Sequence, residues 1–149
     1  MQAKYSIDLR ERLVRLQISG ELRAAQLIHL MREIAADPRH APEMGAIADL
    51  REAHGNWDFS EVQRFRDYVV RIAVPNQGRW AAIVRPGALV AAAHVLIVIS
   101  EPAAGVRIQL FEDGRSALRW VKQRDAEGSR RLAWECAAEP GVLGEVPNL

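Results

Sequence analysis

The sequence predicts an α/β domain: a mixed sheet of about five strands, the first antiparallel at an edge, with about four helices packed on it. Three observations predict this class. Two segments of strict alternation stand close together at the start, Lys4 to Leu9 and Arg12 to Ile18, with room between them only for a hairpin turn. Helical apolar stripes then alternate with short apolar runs, and connections of that length make the later strands parallel, with helices on their faces. Finally, 149 residues, 49% apolar and 26% charged, suit one globular domain able to bury roughly two-thirds of its unfolded surface.

Each element follows from its own pattern. Tyr5, Ile7 and Leu9 alternate with Lys4, Ser6 and Asp8, and Val14, Leu16 and Ile18 alternate with Leu13, Arg15 and Gln17. Ser19 or Gly20 is expected to cap a long helix whose stripe is Ala24, Leu27, Ile28, Met31, Ile34 and Ala35. Asp37-Pro38 ends it, because the residue before proline is driven out of the helical region. After a connector, the run Met44-Gly-Ala-Ile-Ala48 reads as a buried central strand ending in Asp49-Leu50-Arg51.

Asp58 or Ser60 then caps a second helix with Val62, Phe65, Val69, Ile72 and Ala73 inward and Glu61, Arg64, Asp67 and Arg71 outward. Pro75 to Gly78 is turn chemistry, and Arg79 to Arg85 is the next strand, stopped by Pro86-Gly87. Ala88 to Ile99 is expected to form a third helix, length and alanine content outweighing the β-branched cluster from Val95 to Ile99. Val106 to Phe111 is the last strand, with Val106, Ile108 and Leu110 on one face. Asp113 caps a final helix with Ala117, Leu118 and Val121 inward and Trp120 beside them, and Lys122 and Arg124 favour its negative end. Past Asp125, glycines and prolines interrupt the pattern. Residues 1–124 are therefore read as the domain and 125–149 as a partly irregular C-terminal tail.

Composition narrows the function classes. A formal charge of +1 provides no field for nucleic acid or an anionic membrane surface. The lone Cys136 excludes an internal disulfide and a thiolate metal cluster, in keeping with a cytoplasmic protein, and the N-terminal residues lack the apolar core of a signal peptide. The longest apolar run, Ala88 to Ile99, falls short of the ~20 residues of a membrane span. His29, His40, His54 and His94 form no i, i+4 pair, so no metal site is expected, and His94 is read as a buried imidazole in its apolar helix. No nucleophile elbow, phosphate loop or dinucleotide fingerprint is present, so no cofactor is expected and the chain is read as non-enzymatic.

The candidate ligand- or partner-binding residues gather at the strand ends and helix starts. If the central strand is parallel to its neighbours, its carboxyl end is where open α/β sheets hold ligands. That places Asp49, Arg51, His54, Trp57, Phe59 and Ser60 in view, with Arg85 and Gly87 from the next strand end. Asp49 and Arg51, two apart on a strand, share a face and are read first as a structural ion pair. Trp57 and Phe59, bulky in a polar loop, are read as a staple over the following helix or as the mouth of an apolar pocket.

A resemblance adds to this reading. Gly20-Glu21 after a strand, Asp49-Leu50-Arg51 closing the central strand, Asp58-Phe59-Ser60 opening a helix, and Phe111-Glu-Asp113 followed by Ala117-Leu118-Arg119-Trp120-Val121 together resemble the SpoIIAA-like family over about Tyr5 to Val121. That family has the fold of STAS domains, the anti-sigma-factor antagonist class, and is close in shape to CRAL-TRIO lipid-binding domains. The antagonists carry a phosphorylated serine in an Asp-Ser-Ser-Gly setting. This chain has Asp-Phe-Ser-Glu, which leaves only Ser60, read here as a helix cap.

The resemblance implies a bacterial binding or regulatory module that recognises a protein partner or a hydrophobic, lipid-like small molecule. The alternative is a small enzyme or anionic-ligand-binding protein with a crevice at the carboxyl ends of the strands. The third helix, apolar all round, must also bury its outer side. A homodimer is expected to cover it, with Leu89, Ile97 and Trp134 as interface candidates.

Overall fold

Alternation sets the strands, and their order sets the layers. The computed structural model describes residues 1–73, 78–87, 90, 92–94 and 107–123. Its elements are β1 (Gln2–Asp8), β2 (Leu13–Glu21), α1 (Ala24–Ala36), β3 (Gly45–His54), α2 (Phe59–Ala73), β4 (Arg79–Ile83), β5 (Arg107–Phe111) and α3 (Gly114–Lys122). Val90 and residues 92–94 are also helical, between β4 and β5. The five strands lie in chain order, β1 antiparallel to β2 and each later pair parallel. Most of the expected 88–99 helix, with Leu89 and Ile97, lies outside the described residues, as do Val106, Arg124, the 125–149 tail with Trp134 and Cys136, and the side chains of Ile72 and Ala73.

The hairpin is held by Asp8, whose Oδ1 accepts the backbone N–H groups of Arg10 (3.0 Å) and Glu11 (2.9 Å). From β2 to β5 each crossover advances by one strand in the same direction. Right-handed connections then keep every intervening helix on one face of the sheet. On that face Val14, Ile18, Leu30 and Ile34 pack together, and beside them Val62, Phe65, Val69 and Ala92. The opposite face buries Leu13, Ile47, Ala81 and Ile83 against Ala117 of α3. Asp113 caps α3 as expected, accepting the N–H of Ser116 at 2.9 Å. At its other end the guanidinium of Arg79 donates to the Trp120 carbonyl at 3.0 Å, a cation on the negative helix terminus.

Three expectations are corrected. The first helix is not capped at Ser19 or Gly20, because β2 runs on to Glu21, pairing Gly20 with Ala53 and Glu21 with His54 of β3. A cap there would forfeit those ladder bonds. Gly20 instead takes φ 80°, a conformation glycine adopts cheaply, and α1 starts behind Arg23, whose N–H donates to Gln26 Oε1 at 3.1 Å. His94 is exposed rather than buried, since Ala92 and Ala93 take the inward positions of that turn. Of the two caps offered for α2, Asp58 serves: its Oδ1 accepts the Glu61 N–H at 2.9 Å and the Ser60 hydroxyl at 2.7 Å.

Ser60 is thus a second donor to the capping carboxylate. Replacing Asp58 by Ala should cost about 1 kcal/mol in urea unfolding. Ser60→Ala, which removes only an exposed partner, should stay within about 0.5 kcal/mol. The opposite ranking would return the cap to Ser60.

Candidate functional site

The helix-covered face of the sheet carries an unusual row of small side chains. Register places Leu16, Ala48, Ala82 and Leu110 side by side across β2 to β5, and Val14, Ala46, Trp80 and Ile108 in the row beside it. Buried parallel strands are ordinarily rich in Val, Ile and Leu. Here Ala46, Ala48 and Ala82 stand at the centre, and the helices above cannot descend to meet them. The result is an apolar cavity of about 180 Å³. Its floor is those strands, and its roof is Leu27, Met31 and Ile34 of α1, Phe65 and Tyr68 of α2, and Ala93.

Trp57 forms an end wall. Its indole N–H donates to the Leu22 carbonyl at 2.8 Å, and its ring meets Phe65 edge-on, centroids 5.4 Å apart at 70°. Leu22 is fully buried, and its own N–H donates to the His54 carbonyl at 2.8 Å. The loop entering α1 is thereby tied to the loop entering α2. Gly55 makes the crossing possible, because a Cβ there would stand 2.6 Å from the Leu22 carbonyl oxygen. Glu61 strengthens the tie: Oε1 accepts the Ala24 N–H at 3.4 Å, and Oε2, with no hydrogen-bond donor, lies 3.8 Å from Arg23.

Few polar groups reach the cavity. His40 lines it, and burial pushes its imidazole pKa below the ordinary 6.5 against the opposing pull of Asp37 and Glu43. Tyr68 lines it too, its phenol pKa raised by burial, with the Arg32 guanidinium 5.5 Å from the ring centroid.

Among the described residues, Trp57 is the one ligand- or partner-binding candidate from the sequence that lines the cavity. Asp49 follows Ile47 along β3 and so belongs to the opposite face. There it forms a bidentate pair with Arg51 at 3.0 and 2.6 Å, and the hydrogen bonds from Arg51 hold its carboxyl below the usual range. An extra residue in β3 between Asp49 and Glu52, opposite Gln17 to Ser19, is a bulge that resets the alternation beyond it. Arg85 is exposed and pairs with Glu52 at 3.3 Å. His54 contributes its carbonyl, with its side chain exposed. Phe59 is 75% exposed at the first turn of α2, Ser60 serves Asp58, and Gly87 offers its carbonyl to the Val90 N–H at 3.1 Å.

The strand order has no reversal between β2 and β5, so the crevice that such a reversal opens at the strand ends does not arise among these strands. Sequence reasoning missed the cavity floor. The available signal was alanine at alternate positions of strands expected to be buried: Ala46 and Ala48, then Ala82. Among the described residues no cluster of three or more His, Cys, Asp or Glu side chains suits a metal ion, and no helix is long and apolar enough to cross a membrane.

No protein-family model matches the sequence, and no curated protein matches it. Among solved structures, the chain is similar to the crystal structure of an uncharacterised protein of the DUF3478 family, with a SpoIIAA-like fold, from Shewanella loihica PV-4. The TM-score is 0.53 at 19% identity, over 80% of this chain and 93% of that one. The likeness shows the fold: this chain has the SpoIIAA-like fold.

Two outcomes follow from the geometry. Trp57→Phe keeps the ring and removes the donor, leaving the Leu22 carbonyl unpaired; a loss of about 1–3 kcal/mol in chemical unfolding is expected. For His40 the folded pKa lies below the unfolded one, so the unfolded chain takes up the proton first. The associated stability is present above pH 6.5 and is lost as pH falls through the folded value. Thermal midpoints of the wild type should therefore begin to fall just below pH 6.5, and His40→Gln should hold level until the carboxylates titrate. Identical profiles for the two proteins would refute the assignment.

Proposed function

We propose that this SpoIIAA-like domain is a binding module for a small hydrophobic molecule, held between the sheet and the helices α1 and α2. The observation that carries the reading is the row of alanines under an apolar roof. A space of about 180 Å³ exceeds the roughly 150 Å³ of an engineered apolar cavity that stays dry and binds benzene. Its floor residues Ala46, Ala48 and Ala82 are only half-buried, so apolar surface there stays accessible to solvent, and covering such surface is favourable at roughly 25 cal/mol per Å². An apolar guest would cover it.

The charged candidates near the strand ends are engaged in ion pairs rather than with the cavity. Asp49 is engaged by Arg51 on the far face of the sheet, and Arg85 by Glu52. Trp57 lines the pocket, and its indole N–H is satisfied by Leu22, so the ring presents its apolar surface to the space.

The reading is tested by filling the space. The wild type should carry a hydrophobic adduct in native mass spectrometry, or bind a naphthalene-class fluorescent probe after delipidation. Ala48→Leu should abolish that binding and raise ligand-free stability by about 1–2 kcal/mol through added apolar contacts. A wild type that binds nothing, while Ala48→Leu unfolds at the same denaturant concentration, would leave the cavity without a role.

A further inference from the structure

A second space lies over the same two helices. The groove between the outer sides of α1 and α2 has a volume of about 540 Å³ and presents three guanidinium groups, those of Arg32, Arg64 and Arg71. Its one carboxylate, Asp67, is engaged by Arg66 at 3.2 Å. Among the described residues none of the three groove arginines forms an ion pair, and Arg32 rests instead against Tyr68. Tyr68 is also a wall of the apolar cavity, so one aromatic side chain borders both the cationic surface and the apolar interior.

Apolar volume on one side of a single ring and uncompensated cations on the other match a molecule with the same division. We infer that the guest is an anionic amphiphile, its hydrocarbon part in the cavity and its carboxylate or phosphate on Arg32, Arg64 and Arg71, with Tyr68 turning aside to let the chain pass between them. This rests on the cavity reading above and adds the headgroup to it. Guanidinium groups suit either anion, since their forked donors match both geometries. The three are solvent-exposed, so each contributes modestly, and together they amount to about tenfold in affinity at low salt.

The test compares ligands of one chain length on the delipidated full-length protein by titration calorimetry at low ionic strength. Octanoate and octyl phosphate should each bind about tenfold more tightly than octanol. Their relative rank distinguishes a fatty-acid headgroup from a phosphate one. In the triple variant Arg32→Gln, Arg64→Gln, Arg71→Gln the preference for the anions should vanish while octanol binds as before, which also reports that the fold is intact. Equal binding of octanol and the two anions by the wild type would overturn the headgroup site and leave the cavity reading standing. An anion preference that survives the triple variant would overturn it as well. Failure of all three ligands to bind would overturn both readings together.

Discussion

The hydrogen bond from the Trp57 indole to the Leu22 carbonyl is the contact on which the helix-covered half of this domain depends. Leu22 is fully buried where the chain leaves β2, and both of its backbone polar groups must find partners away from water. Its N–H goes to His54 and its carbonyl to Trp57, so one residue between two elements is clamped by the loop between two others. Glu61 repeats the link from the first turn of α2 to the first N–H of α1. The helices are thereby fixed to each other at their N-terminal ends before their apolar stripes meet the sheet. An aromatic wall held in this way stays where it is whether or not the space beside it is filled.

The strand order explains why that space exists where it does. Because β2 to β5 are laid down in sequence, the connecting helices crowd one face, and among the described residues the other is covered by α3. The α3 face is packed tightly: Ala117 is fully buried, and Phe111 and Trp120 meet with centroids 5.7 Å apart. On the crowded face the roof is set by helix contacts with each other as much as with the sheet. Small residues at Ala46, Ala48 and Ala82 are then not compensated by closer approach. The same lack of collapse makes the cost of large-to-small core substitutions depend on the site.

Much of the architecture was legible because period and spacing are local. The hairpin, the apolar stripe of α1, the described part of the α2 stripe (Val62, Phe65 and Val69), the cap at Asp113 and the proline stop after Asp37 each needed only a few neighbouring residues, and these were found in place. The failures were decided by a distant strand in one case and by side-chain geometry within a single turn in the other. Gly20 looks like a cap until β3 is laid beside it, and the choice between Asp58 and Ser60 turns on which oxygen meets the Glu61 N–H. The site was less legible than the fold. Trp57 stood out as a bulky residue in a polar loop, whereas the alanines gain meaning only when register sets Ala48 beside Ala82, with Ala46 one row along.

The physical tension in this domain lies between that floor and that wall. A core under selection for stability alone would place larger side chains at Ala48 and Ala82, which adjoin in the ladder and lie between Leu16 and Leu110. A larger side chain at either site would close the space and gain contact energy of roughly 0.8 kcal/mol per methylene. The sequence instead combines small residues below with Trp57 and Phe65 at one end, rings held by the Leu22 hydrogen bond and by their edge-on contact. Small floor and hydrogen-bonded end wall together maintain a volume that ordinary packing would eliminate. That combination is what an apolar site of the proposed kind requires, because the end wall at Trp57 is already in place before a guest arrives.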